Sequence, residues 1–260
     1  MKGPAGVMAL VLAETAAGGA AFLFLTPLWR EVRTGFFYLT GATVLALAAG
    51  AGGSASAGFD PAATAGRLAE ALAFALAAVT LVWVAVAAAR ARTLARVLGL
   101  ASVALAVVML FAFARTSDES VALSFFQLLA GAAFTGAVLD GLLLGHWYLT
   151  DRKLPRAPIN RMAWALIATV AVEMVAVVLG GSGSPTAAQT NTLNPLLTLS
   201  GSSTLIAVGM VACTGLVAVL IRLTLKGPRP QAVQSATGFF YIAVITAFAA
   251  EVAAKVRFLP

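Results

Sequence analysis

Four side chains that can hold or release a proton stand inside long apolar stretches of this chain. They are Glu14 in "VLAETAAGGAAF", Asp140 in "TGAVLDGLLL", Glu173 in "VAVEMVAV" and His146 in "LLLGHWYLT". A carboxyl group can carry a proton between neighbours, meet a cation, or accept hydrogen bonds from a polar ligand. An imidazole can take up and release a proton near neutral pH and donate a hydrogen bond in either state. Placing an acid near the centre of a bilayer costs about 3 kcal/mol on insertion scales. Such an acid must carry a proton, meet water, or find a partner on another helix.

Glu14 and Glu173 have no basic residue within one helical turn, and both fall near the middle of their apolar runs. They are therefore read as proton-relay or ligand-contacting groups, with a neutral acid bridging two helices as the structural alternative. Asp140 and His146 lie six residues apart on one run, about 240° around a helix, so a direct pair between them is not expected. Glu70 follows Arg67 at ion-pair spacing and reads as a surface pair. Glu251 precedes Lys255 by four residues, the favourable order for a helical ion pair. With Arg257 nearby, they are expected to anchor the last helix at the membrane interface.

His146 is the only histidine, which excludes a haem held by two histidines of this chain. No cluster of nitrogen, oxygen and sulfur ligands forms a zinc pattern, so no metal is expected. Two roles remain. His146, Trp147 and Tyr148 can simply be interfacial aromatic groups where a helix leaves the membrane. Alternatively they contact a quinone-like head group, His146 donating a hydrogen bond and moving a proton while Trp147 or Tyr148 walls a flat slot.

The elements that position these groups follow from composition. Of 260 residues, 61% are hydrophobic and 10% charged, against roughly 25% charged in a soluble domain. So much apolar surface cannot be hidden inside a water-soluble fold. Lipid is the expected surrounding. The spacing predicts an all-α, polytopic membrane bundle, one transmembrane domain over 1–260, with eight spans near 5–28, 35–53, 66–89, 95–114, 123–149, 161–181, 195–221 and 235–258. Helices are favoured because hydrocarbon offers backbone groups no partner, and the alternation of a barrel strand is absent. The first run has features of a signal peptide, but it continues to Trp29 and is interrupted by Glu14, so it is expected to stay as a helix.

Twelve of the 17 basic residues fall in alternate loops: Arg30 and Arg33; Arg90, Arg92 and Arg96; Arg152, Lys153, Arg156 and Arg161; and Arg222, Lys226 and Arg229. The positive-inside rule then puts all odd-numbered loops in the cytoplasm and both termini outside, in a bacterial inner membrane. That distribution accounts for the net charge of +7 without a nucleic-acid partner. The one cysteine, Cys213, rules out a disulfide within the chain.

Faint repetition is visible. "TGFFYLTGATVLALAAG" opens the second span and "TGFFYIAVITAFAAE" the eighth, while the fifth can be laid over the first. This reads as two halves of four helices or as four hairpins, although Gly, Ala and Phe recur in any membrane helix. "NPLLTLSGSSTL" at the seventh span is the best candidate for an unwound segment.

Eight helices with both termini outside, membrane acids and the closing "AAEVAAKVRFLP" make the chain resemble the membrane-anchor subunits of the dimethyl sulfoxide/polysulfide reductase class. The resemblance implies a subunit of a respiratory electron-transfer complex that contacts quinone and docks iron–sulfur or cytochrome partners. On that reading the chain has no metal or covalent cofactor of its own, and Glu14, Asp140, Glu173, His146, Trp147 and Tyr148 line the ligand site or proton route. A small transporter with a midplane acidic site, or an assembly subunit without a ligand, fits the same residues.

Overall fold

A computed structural model of the chain describes residues 3–26, 28–117, 119–151, 153–181, 202–228 and 231–258. Its helices are α1 (Gly3–Leu25), the short α2 (Leu28–Glu31), α3 (Thr34–Gly58), α4 (Thr64–Ala88), α5 (Arg92–Ala114), α6 (Val121–Thr150), α7 (Ala157–Gly180), α8 (Ser202–Thr224) and α9 (Gln231–Lys255). A 3-10 turn over Val256–Phe258 follows α9. Among the described residues, eight of these helices are long and apolar enough to cross a membrane.

The eight long helices lie over the eight expected runs, with informative differences. The first ends at Leu25 and a separate turn of helix follows at Leu28, where an uninterrupted run to 28 was expected. The last ends at Lys255, not 258, because the chain tightens there into the 3-10 turn. The first turns of the sixth and eighth spans start at Ala157 and Gln231, earlier than hydrophobicity marks them, since polar residues are tolerated in a first turn. Residues 195–201 of the seventh span, and most of the "NPLLTLSGSSTL" stretch, lie outside the described residues.

The bundle inverts the pattern of a water-soluble core. Leu81, Leu205, Leu216 and Ile245 are more than half exposed on its outside. The buried faces of α1 and α6 are instead rich in glycine and alanine. With lipid as apolar as leucine, helices gain by close approach of their backbones, which small residues allow. The tightest crossing is between Gly18 of α1 and Ala132 and Gly136 of α6, where a side-chain carbon on either glycine would run into the other helix's backbone.

Two groups of four helices meet at that crossing. In the first, α1 packs on α3, α3 on α4, α4 on α5, and α5 returns to α1. In the second, α6 packs on α7, α7 on α8, α8 on α9, and α9 returns to α6. The two groups meet mainly through α1 and α6.

One end of the bundle gathers the basic loops. Arg33 pairs with Asp151 at 3.2 Å, Arg161 with Glu31, and Arg156 donates to the carbonyls of Leu225 and Gly227 at 3.2 and 2.8 Å. These contacts tie the α1–α3, α6–α7 and α8–α9 connections together at that end. Arg152 and Arg229 lie outside the described residues. The expected Arg67–Glu70 pair does not form: Arg67 is exposed, and no ion pair joins them among the described residues. In water such a pair contributes little, so side-chain entropy wins.

Replacing Gly136 with leucine should lower stability by about 1–3 kcal/mol or more through overpacking. The same change at Gly238, which has open space around it, should leave the thermal midpoint of the detergent-purified protein unchanged.

Candidate functional site

The structure brings three of the buried acids to one point. Glu14 stands at the centre of α1, and Lys255 reaches it from the end of α9, Nζ to Oε1 at 2.7 Å. The same ammonium meets Glu251 Oε2 at 3.1 Å, one turn earlier on α9. Glu173 of α7 is buried within electrostatic range of Glu251, Lys255 and Glu14. All four side chains are buried, none more than 1% exposed. The site thus joins α1, α7 and α9.

α6 supplies its floor. A side-chain carbon at Gly131 would sit 2.6 Å from Glu14 Oε1 and 2.9 Å from Glu251 Oε2, so only glycine leaves room for the two carboxyls. One turn further along α6 lies Gln127, level with Lys255 on the antiparallel α9. It is 1% exposed, and neither its amide nitrogen nor its oxygen has a hydrogen-bond partner among the described residues. Glu14 Oε2, Glu251 Oε1 and Glu173 Oε2 are likewise without one.

Charge balance gives this arrangement its chemistry. One ammonium neutralises one carboxylate, leaving two of three carboxyls in an interior where bare charge is expensive. The open positions are mostly acceptors, so what the site lacks is hydrogen. Among the described residues no group of three histidine, cysteine or acidic side chains converges closely enough to hold a metal ion. The arrangement suits uptake and release of protons, exchanged among carboxyls that share one fixed cation.

This corrects the reading of Glu251 and Lys255 as an interfacial anchor. Lys255 is 1% exposed and turned inward, because a buried acid on α1 is a stronger partner than water at a helix end. The side chain of Arg257 is not described. Lys255 and Glu251 were thus the residues missed as site members; their four-residue spacing was visible, but not the helix they face. Glu14 does meet a partner on another helix, Lys255 of α9.

The other candidates separate from this cluster. His146 sits near the basic end of α6. Its Nδ1 lies 3.3 Å from the Leu142 carbonyl, which can only accept, so Nδ1 carries the hydrogen. Nε2 is then free to accept from the Tyr241 hydroxyl at 2.6 Å, with the two rings edge to face. Tyr241 was not singled out from the sequence.

Trp147 meets a different helix from the one His146 meets. Its ring packs on Gly35 of α3, and its Nε1 has no hydrogen-bond partner among the described residues. Tyr148 is buried and donates its hydroxyl hydrogen to the Pro155 carbonyl. That bond closes the α6–α7 loop, so Tyr148 is not part of an exposed aromatic belt. Asp140 is fully buried, and neither of its oxygens has a hydrogen-bond partner among the described residues.

A groove of about 320 Å³ opens between α1, α5 and α6, lined by Gly18, Phe22, Val107, Leu110 and Ala132 among others. It is apolar and takes no residue from α9 or from the His146 end of α6. It therefore does not supply the flat slot expected at His146. No family model, curated protein or solved structure matches this chain.

Removing Lys255 should leave three acids facing one another. We expect Lys255→Met to destabilise the protein by about 3–5 kcal/mol, as breaking one side of a buried ion pair does. Adding Glu14→Gln and Glu251→Gln to it should recover most of the lost thermal stability. A single-variant melting curve that overlays the wild type would show that the ion pair does not hold α9 to α1.

Proposed function

We propose that this protein carries protons in a multi-pass cell-membrane bundle, as a small proton-coupled carrier whose working site is the Glu14–Glu173–Glu251–Lys255 cluster. The observation that carries the reading is the buried surplus of carboxyls around a single ammonium, 2.7 and 3.1 Å from two of them. An acid kept inside a membrane is costly and marks ion or proton pathways. Four ionisable groups drawn from three helices form a site that a shift of one helix would remake, which is what coupling to a transported solute requires.

In this reading the basic loops face the cytoplasm and both termini face outward. The cluster then lies in the outer half of the bundle, since Gly131 is about 15 Å from the outer end of α6 and about 28 Å from the inner one, at 1.5 Å per residue. The two four-helix groups, α1 with α3–α5 and α6–α9, are a unit used twice. Their meeting through α1 and α6, the first helix of each, supports this, and carriers commonly place their site where such repeats join.

A second reading is favoured by a different observation, the His146–Tyr241 pair at 2.6 Å. Here the chain is the quinone-contacting membrane subunit of a redox complex with iron–sulfur or cytochrome partners. The Tyr241 hydroxyl, half-exposed and held by His146, would pass its hydrogen bond to a carbonyl head group.

The two readings part in one set of measurements. Purified protein in liposomes with a trapped pH-sensitive dye should move protons down an imposed gradient. Glu173→Gln, which leaves the Lys255 pairs in place, should slow this at least tenfold. If the protein is inert alone, copurifies with redox subunits, and loses quinol turnover with His146→Gln, the carrier reading fails and the second stands.

A further inference from the structure

Asp140 is a fully buried acid that the cluster does not use. It stands nine residues from Gly131 on α6, about 14 Å along the axis, and six residues from His146, about 9 Å. The midpoint of α6 falls between Gly131 and Asp140, so the cluster and Asp140 flank the middle of the bundle at about 7 Å on either side. One turn away, Gly136 touches Gly18 of α1. The next residue, Gly141, packs on the Phe240 ring of α9, and two turns on, Trp147 packs on Gly35 of α3. None of the residues named at these contacts is charged, and no ion pair reaches Asp140 among the described residues.

A carboxyl with two unpaired oxygens and no ion-pair partner among the described residues holds none of the described helices together. Orphaned polar atoms recur in this half of the bundle: the buried Thr40 hydroxyl on α3 and the Trp147 indole nitrogen also have no hydrogen-bond partner among the described residues. Between cluster and Asp140, the buried Thr135 hydroxyl donates to the Gly131 carbonyl at 2.8 Å, leaving its own lone pairs to accept. Polar groups therefore recur along the length of α6 from the outer cluster, past Thr135 and Asp140, to the His146–Tyr241 pair, with Asp140 about 180° around the helix from Gly131 and about 240° from His146, so the route winds around α6.

We infer that Asp140 is the second station of a proton path along α6, joining the Glu14–Glu173–Glu251–Lys255 cluster to the His146–Tyr241 pair. The inference rests on the carrier reading and extends it from a site to a route. The separations are too long for direct transfer, so the path requires water molecules to enter between the stations.

The transfers balance without any redox partner. A carboxyl of the cluster gives its proton to the water chain, and the chain delivers one to an Asp140 oxygen. Asp140 passes it on through water to His146 Nε2. The imidazolium then donates from Nδ1 to the Leu142 carbonyl and from Nε2 to the Tyr241 oxygen, whose own hydrogen turns away. Release of the Nε2 proton to the basic-end solution restores the starting hydrogen bond.

The test compares Asp140→Asn, Asp140→Glu and Glu173→Gln, each in dye-loaded liposomes at equal protein content, with thermal melts to confirm folding. Proton flux should fall at least tenfold with Asn and with Glu173→Gln, and Glu at position 140 should keep most of it. The protonated-carboxyl band in pH-difference infrared spectra should lose one component in Asp140→Asn and shift it in Asp140→Glu, which reads the station even where flux is low. If Glu173→Gln stops flux while Asp140→Asn conducts like wild type, the station is overturned and the cluster reading survives. If neither variant slows flux, or wild-type vesicles leak no faster than empty ones, the cluster reading itself falls and the path falls with it.

Discussion

The contact on which the molecule turns is a single ammonium group, Lys255 Nζ, held between Glu14 and Glu251 where no water-facing surface exists. A lysine or a glutamate alone at that depth would be costly to bury; each is retained because the others are there. The pair also has a mechanical effect. It fixes the end of α9 against the centre of α1, so the two groups of helices are joined by charge as well as by the glycine crossing beside it.

That crossing and the ion pair depend on each other. Gly18 and Gly136 let α1 and α6 approach until their backbones touch, and one turn from Gly18, Glu14 is brought over Gly131, where no side chain competes for its space. A larger residue at any of these positions would separate the helices and pull Glu14 away from Lys255. The small residues are thus the means by which a polar site is assembled within an apolar bundle, and not only packing elements.

Much of this was readable in the chain before any coordinates. Runs of about 20 apolar residues specify membrane helices because lipid leaves the backbone no alternative, and the eight helices follow those runs closely. Glu14 and Glu173 stood out for the same reason, as acids with no local partner. Less legible was anything that required knowing which helices touch. Lys255 near a chain end, four residues after Glu251, has every local feature of an interfacial anchor, and only the packing of α9 against α1 reveals its partner. Tyr148 illustrates the converse: its type and place fit an aromatic belt, yet a loop carbonyl captured its hydroxyl. Side-chain period alone fixes a face, not the neighbour on that face.

The remaining question is why four ionisable groups are kept where one apolar set would be more stable. A buried ion pair is generally no better for stability than well-packed hydrocarbon of the same volume, so holding α9 to α1 does not explain it. A single Glu–Lys pair would also suffice for that purpose, yet Glu173 is added from α7 and Gln127 from α6, both with unsatisfied atoms. Every addition raises the cost of the site and none completes its hydrogen bonding. In the carrier reading proposed above, a group assembled beyond what structure needs, with open acceptors around one fixed cation, is a place where protons come and go, because the open acceptors are then filled for part of each cycle.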